Sequence, residues 1–183
     1  GKSIKKKEDI GYFYEKDAEI VIEDLYQITL YLREQFVDKK IILFGHSMGS
    51  MIVRKYIAKY DNKIDGLIVC GSPSKNVNAK LGLAIVKILE FFKGENYRSK
   101  FVKNLMFSGY NKNNDLPNSW ICNNKETVEK YNADELCQYN YTLNGFENII
   151  KLMIDIYNPK IYEKNNVQLP IYFIAGANDP VIA

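Results

Sequence analysis

The sequence predicts an α/β fold in which a parallel sheet is flanked by helices and carries a helical cap insertion. Three observations predict it: short apolar runs rich in β-branched residues, helical spacing of apolar residues between these runs, and a long segment before the last run. Strands that alternate with helices form βαβ units, and their strands run parallel. The chain of 183 residues, 46% of them hydrophobic, suits one compact domain with a packed core.

The first helix is predicted over residues 17–37, where apolar side chains recur at steps of three and four residues. Asp17 stands at its start, where its side chain can cap the helix. A turn then leads into the run "IILFG" (41–45), whose continuous apolar character predicts a strand buried on both faces. Helical spacing returns in "MGSMIVRKYIAKY" (48–60).

Two further strands are predicted, "IDGLIVCGS" (64–72) and "LPIYFIAGA" (169–177). The segment between them is too long for a single crossover or a plain loop. Its helical patterns are "LGLAIVKILEFF", "NKETVEKY" with a capping asparagine, and "GFENIIKLMIDIY". We therefore expect a partial core over residues 1–74, a helical cap over 75–165, and a return to the core over 166–183.

Composition excludes several classes of function. With 25 basic and 22 acidic residues the net charge is +3, far from the basic surface of a nucleic-acid binder. Three scattered cysteines and a single histidine form no metal-binding pattern, so we expect no cofactor or metal and a reducing, cytoplasmic setting. No apolar stretch is long enough to span a membrane, and the polar start does not look like a signal peptide.

The stretch "GHSMG" (45–49) places Ser47 between two glycines, directly after a predicted buried strand and before a predicted helix. A serine nucleophile on a strand-to-helix elbow needs this pattern, because the backbone is strained there and a side chain at either glycine is expected to collide with a neighbouring element. The alternative is a simple turn. The strand and helix on either side favour the nucleophile.

Two other side chains compete for roles beside Ser47. His46 is the only histidine, but successive residues leaving a strand point to opposite sides, so we expect it to pack behind the elbow and not to act as the base. Asp179 follows the third strand, at the sheet edge where an acid that orients a histidine should lie. The alternative for Asp179 is an Asn-Asp-Pro turn without catalytic function.

Together, "GHSMGS", "GLIVCGS", "NSWICNNKETVEKYNADELC", "PIYFIAGANDPV" and the opening "GKS" resemble an α/β-hydrolase of the monoacylglycerol lipase and lysophospholipase type, related to serine aminopeptidases. The resemblance implies that Ser47 attacks an ester carbonyl, that Asp179 is the acid, and that the backbone N–H of Met48 forms half of the oxyanion hole. It also implies a small ester or lipid substrate, and with it a transient contact with a membrane surface.

The sequence departs from this family in two ways. The strands that precede "GKS" in the family, and the loop that carries its catalytic histidine, have no counterpart here. We therefore expect a fragment with nucleophile and acid but no base, nearly inactive by itself. Two alternatives stay open: an aminopeptidase of the proline iminopeptidase type, whose cap would need an acidic patch such as Glu126, Glu129, Asp134 and Glu135, and a non-catalytic interaction module.

Overall fold

The computed structural model describes residues 4–111 and 116–182, so the opening "GKS" lies outside the described residues. Strands and helices alternate as the sequence predicts. In chain order the elements are α1 (Glu19–Gln35), β1 (Ile42–His46), α2 (Met48–Tyr60), β2 (Gly66–Cys70), α3 (Ala79–Lys93), α4 (Lys100–Phe107), α5 (Lys125–Ala133), α6 (Leu143–Asp155) and β3 (Ile171–Ile174).

The three strands form one parallel sheet in the order β1-β2-β3, which confirms the predicted α/β class. The register aligns His46 of β1 with Cys70 of β2, and Cys70 with Ile174 of β3. The carboxyl ends of all three strands therefore lie side by side. Residues that follow them meet at one edge of the sheet, where open α/β sheets place their functional groups.

The expected burial holds for β2 but not for β1. In the central strand β2, Leu67 and Val69 are almost fully buried. In β1, Ile42 and Phe44 are 54% and 58% exposed, so the prediction of a strand buried on both faces is wrong. All four residues of β3 are exposed as well. The reason is that, within the described residues, β1 and β3 each pair with a strand on one side only.

Helices α1 and α2 pack on the sheet because their apolar stripes face it. Ile22 of α1 and Tyr56 of α2 have no exposed surface, and the Tyr56 hydroxyl donates to the hydroxyl of Thr29 across 3.0 Å. The predicted cap of α1 is wrong, because the capping position is occupied by Ala18 and the helix begins at Glu19. The Asp17 side chain accepts a hydrogen bond from the Glu19 N–H. The helix itself forms as predicted.

The chain divides into two compact units. The sheet unit comprises residues 17–80 and 149–183, and the helical unit comprises residues 1–16 and 81–148. These two units are defined by how compactly their residues pack. The domain boundaries that the sequence predicts along the chain are a different division, and they stay a prediction.

In the helical unit, α6 buries polar side chains that hold the N-terminal segment. The side-chain oxygen of Asn144 accepts from the Phe13 N–H at 2.9 Å, and the side-chain amides of Asn144 and Asn148 both donate to the Glu15 carbonyl. Arg98 donates to the carbonyls of Glu8 and Ile10. The backbone of residues 8–15 is thus anchored by side chains of the helical unit. Asn124 caps α5 as predicted, accepting from the Thr127 N–H.

Candidate active site

Ser47 occupies the junction between β1, which ends at His46, and α2, which begins at Met48. Its backbone has φ 53° and ψ −118°, a combination that residues with side chains rarely adopt. Such strain persists only where the surrounding structure enforces it, and it concentrates at functional sites. A sharp strand-to-helix turn of this kind lifts the serine side chain out of the regular backbone pattern.

The turn depends on Gly45. A Cβ atom there would lie 2.6 Å from the Cγ2 atom of Val53, and closer still to the carbonyl oxygen of Gly49. Helix α2 can therefore approach β1 only because position 45 has no side chain. At Gly49 a Cβ atom would meet nothing within 4 Å among the described residues. The collision expected at Gly49 is thus not found, because this position faces open space.

Two hydrogen bonds hold the elbow in place. The Ser47 N–H donates to the Cys70 carbonyl at the end of β2, at 3.0 Å. The Ser47 carbonyl accepts from the Ser50 N–H at 2.9 Å and starts the helix. Ser47 itself is partly exposed, so its hydroxyl is within reach of a small molecule. Met48 is the first residue of α2, where backbone N–H groups point out of the helix and favour negative charge.

Asp179 lies in the turn after β3 and is partly buried. Its Oδ1 atom accepts from the Val181 N–H at 3.0 Å, and its own N–H donates to the Gly176 carbonyl. Ser74, on the loop after β2, secures this turn: its N–H donates to the Val181 carbonyl, and its hydroxyl donates to the Ile182 carbonyl. The loops that follow β2 and β3 are therefore tied together around the carboxylate.

The strand ends converge on Gly71, which directly follows β2 and has a φ of 54°. A Cβ atom at Gly71 would lie 3.3 Å from Oδ2 of Asp179 and 3.5 Å from Nε2 of His46. The structure thus brings Asp179 and His46 to the same small space, one residue beyond the Cys70 carbonyl that holds Ser47. His46 is exposed, so the expectation that it packs behind the elbow is wrong: its Nε2 atom lies beside Gly71, which follows β2.

Arg54 of α2 is a part of the site region that sequence reasoning missed. Its guanidinium donates to the Ser72 hydroxyl at 3.0 Å and to the Ile156 carbonyl at 3.2 Å. It also lies 4.6 Å from the ring centroid of Tyr157, a cation–π contact. Arg54 therefore steadies the loop beside Gly71. No sequence signal pointed to it, since two of its three partners lie about a hundred residues away along the chain.

Two negative observations apply to the described part of the chain. Residues 4–111 and 116–182 contain no group of three or more histidine, cysteine, aspartate or glutamate side chains that could hold a metal ion. Within the same residues, no helix has the length and apolar character needed to cross a membrane.

Comparison with known proteins places this geometry in a family. The family model described as serine aminopeptidase, S33 matches residues 8–183. Among curated proteins, no significant match is found.

Solved structures share the fold. A thermostable carboxyl esterase from Bacillus coagulans, in complex with glycerol, superposes with a TM-score of 0.82 at 28% identity, over 92% of this chain and 56% of the esterase. A lipase in its open form gives 0.76 at 23% identity, over 90% and 55% of the two chains. A monoglyceride lipase from Saccharomyces cerevisiae gives 0.62 at 16% identity, over 90% and 52%. The chain thus spans about half the length of these proteins.

Proposed function

This chain belongs to the serine aminopeptidase S33 family, and from that membership and the elbow geometry we propose that the protein is a serine hydrolase that cleaves carboxylic esters. The observation that carries the proposal is the strained backbone of Ser47 at the strand-to-helix junction. The superposed structures, which are a carboxyl esterase and two lipases, support an ester as the substrate.

In the proposed mechanism, the Ser47 hydroxyl oxygen attacks the ester carbonyl while its proton passes to a histidine. We assign this base to the part of the protein beyond these 183 residues, because His46 adjoins the nucleophile and is badly placed to reach its hydroxyl. Asp179 orients the base and stabilises its charged form. The alcohol leaves with the proton, and water then releases the acid from the acyl-serine.

The developing oxyanion needs hydrogen-bond donors that are fixed before the reaction. We propose the backbone N–H of Met48 as one of them, because it follows the nucleophile at the start of α2. One such donor contributes about 3 kcal/mol to transition-state stabilisation in related chemistry. As a backbone group it cannot be removed by exchanging the Met48 side chain, so Met48→Leu should leave turnover nearly unchanged.

Labelling with a fluorophosphonate tests the nucleophile. In the complete gene product we expect covalent labelling at Ser47, loss of labelling in Ser47→Ala, and unchanged labelling in Ser108→Ala, which alters an exposed serine at the end of α4. If the unaltered complete product is not labelled, the elbow is only a turn and the interaction-module alternative takes precedence. This stretch alone is expected to label poorly, since it lacks the proposed base.

An ester is favoured over a peptide because the acidic cap residues are solvated. Glu126, Glu129, Asp134 and Glu135 are all exposed, and two of them already pair with lysines: Glu126 with Lys130 and Glu135 with Lys7. Carboxylates of this kind do not form a dry pocket for an amino terminus. Turnover of 4-nitrophenyl butyrate without turnover of proline 4-nitroanilide supports the esterase, and the reverse result supports the aminopeptidase.

A lipid ester is the substrate class that we propose within the esters. Helix α3 exposes an apolar stripe in which Leu81, Ile88, Phe91 and Phe92 are 63%, 58%, 83% and 73% accessible. Exposed apolar surface of this extent marks an interaction site. Such a stripe suits transient contact with a lipid surface that presents acylglycerols or lysophospholipids.

Binding of the complete product to vesicles tests that contact. Phe91→Ser with Phe92→Ser should weaken co-sedimentation with phosphatidylcholine–phosphatidylglycerol vesicles and leave hydrolysis of soluble butyrate esters unchanged. Leu136→Ser is the matched control, because Leu136 is 51% exposed outside the stripe. Equal binding by all variants would exclude the stripe as the lipid contact. The cytoplasm remains our proposed location, supported by the unpaired thiols of Cys70, Cys122 and Cys137.

A further inference from the structure

The space beside Gly71 contains the His46 side chain, which has no role in the proposed mechanism. His46 and Asp179 approach the same point from β1 and from the loop after β3: the missing Cβ of Gly71 would be 3.5 Å from the His46 Nε2 atom and 3.3 Å from the Asp179 Oδ2 atom. A side chain at position 71 would contact both the imidazole and the carboxylate. The positive φ of Gly71 excludes most other residues on backbone grounds as well.

We propose that His46 is a positioning residue that holds the Asp179 carboxylate, directly or through one water molecule, in the orientation needed to align the catalytic histidine. This inference rests on the proposed serine-hydrolase function. It goes beyond that function because it gives the histidine before the nucleophile a role through the acid and not through Ser47.

The carboxylate is held from one side only without His46. Oδ1 of Asp179 accepts from the Val181 N–H at 3.0 Å, which leaves Oδ2 as the oxygen that faces Gly71 and His46. The rest of the turn is secured through its backbone by Ser74 and Gly176. Backbone anchors fix where the turn lies but not how the carboxylate rotates about its Cβ–Cγ bond. A donor facing Oδ2 restricts that rotation.

The position of His46 in the sheet accounts for its place on the side of Gly71 and the acid. In register, His46 pairs with Cys70, and Cys70 pairs with Ile174, so the three side chains project from the same face of the sheet. Ser47 follows β1 with a positive φ and so does not continue the strand. His46 is therefore a neighbour of the acid across the strand ends, although it is a neighbour of the nucleophile in sequence.

A double-mutant cycle in the complete gene product tests the proposal, with 4-nitrophenyl butyrate as substrate. We expect His46→Leu to lower kcat about tenfold with KM unchanged, as losses of outer hydrogen-bond partners do. His46→Gln keeps an N–H donor and should recover most of this loss. In an Asp179→Asn background, His46→Leu should cost nothing further, because its only effect passes through the carboxylate.

Three results would overturn the proposal. Wild-type kcat in His46→Leu would show that the carboxylate needs no second holder. An equal loss in the Asp179→Asn background would show that His46 acts independently of the acid. A loss as large as that of Ser47→Ala, unrelieved by glutamine, would make His46 the base itself. If the fluorophosphonate does not label the unaltered protein, the proposed function itself is wrong. This labelling is therefore measured before any His46 variant is tested.

Discussion

The sheet unit and the helical unit bury charge in opposite ways. In the sheet unit, the Lys55 ammonium is 11% exposed and lies 3.0 Å from Glu19 and 2.7 Å from Asp155. In the helical unit, Glu147 is 3% exposed and has Glu90 as a neighbour of the same sign, with Lys87 at 3.7 Å. The first arrangement pairs opposite charges. The second places two carboxyl groups together, and burial and Glu147 raise the pKa of Glu90.

This difference gives the two units opposite responses to pH. Burial alone would raise the pKa of Glu19, but hydrogen bonds from Lys59 and Lys55 lower it overall. Its stabilising contribution is present above its ordinary pKa of 4.5 and is lost as the pH falls through the lowered value. Burial and the hydrogen bond to Glu147 raise the pKa of Glu90. The stabilising contribution of Glu90 is complete below its ordinary pKa of 4.5 and is lost as the pH rises through the raised value.

The comparison shows that burial of an acidic side chain does not by itself fix the direction in which its pKa shifts. The stabilising contribution of Glu19 is lost in acid because its lysine partners favour the ionised carboxylate, whereas that of Glu90 is lost at higher pH because burial and Glu147 disfavour the ionised carboxylate. Near the ordinary carboxyl pKa both contributions are close to complete, so the sheet unit loses its contribution below that pH and the helical unit loses its contribution above it.

Substitutions that destabilise one unit at a time are expected to have the largest effects on the free energy of unfolding. At Gly45 a Cβ atom would strike Val53 and the Gly49 backbone of the sheet unit, and at Gly145 it would strike the carbonyl oxygen of Gly11 in the helical unit. Alanine at either position should destabilise its own unit by about 3 kcal/mol, because backbone cannot give way as a side chain can. Hydrogen exchange monitored by mass spectrometry should show accelerated exchange confined to the altered unit.

Gly49→Ala is the control for this pair, because a Cβ atom there meets nothing within 4 Å. It should change stability by less than about 1 kcal/mol, in the stabilising direction expected for glycine replaced in a helix. Exchange that accelerates equally in both units for Gly45→Ala would show that the two units unfold together and would weaken the comparison.

Removing the buried cation should have the next largest effect. Lys55→Met leaves Glu19 and Asp155 without their shared partner and should destabilise the sheet unit by about 2 kcal/mol. Lys59→Met is the matched control on the same helix: Lys59 is 39% exposed, and its loss should cost clearly less. Urea unfolding at pH 7 measures both. Equal costs would mean that burial of Lys55 adds nothing to its ion pairs.

A smaller effect, of opposite sign, is expected from Glu90→Gln. The substitution removes a carboxyl group whose ionisation is disfavoured by burial, Glu147 and Glu95 and favoured by Lys16. The variant should therefore match the unaltered protein near pH 4 and melt a few degrees higher near pH 7, about the shift of a change near 1 kcal/mol. Glu129→Gln, an exposed position on α5, should melt identically at both pH values. A lower melting temperature for Glu90→Gln at pH 7 would contradict the expectation that ionised Glu90 destabilises the helical unit.

The smallest effect on stability is expected for an ion pair whose two side chains are both exposed to solvent. Lys7 and Glu135 are 78% and 81% exposed in their side chains, so Lys7→Ala should change the free energy of unfolding by less than about 0.5 kcal/mol. Thermal melts at low and high salt should coincide for the variant. A salt-dependent loss above that size would mean that exposed ion pairs matter here as much as the buried one.

Much of the fold could be predicted because its signals are local. The strands around Leu43, Leu67 and Phe173, the helices between them and the elbow at Ser47 all rest on patterns within about ten residues. The burial of β1 could not be predicted correctly, since burial depends on neighbours that a strand does not encode. The role of Arg54 and the meeting of His46 with Asp179 join residues far apart in sequence, and a single sequence carries no record of such pairs.

The positive φ of Ser47 also bears on how such a chain would change if selection on its activity were relaxed. A serine held in this conformation costs about 1 kcal/mol or more that a glycine would not. Ser47→Gly is thus a mutation that stabilises the chain while abolishing its proposed chemistry. In a population released from the need for that proposed chemistry, folding stability alone would favour glycine at this one position.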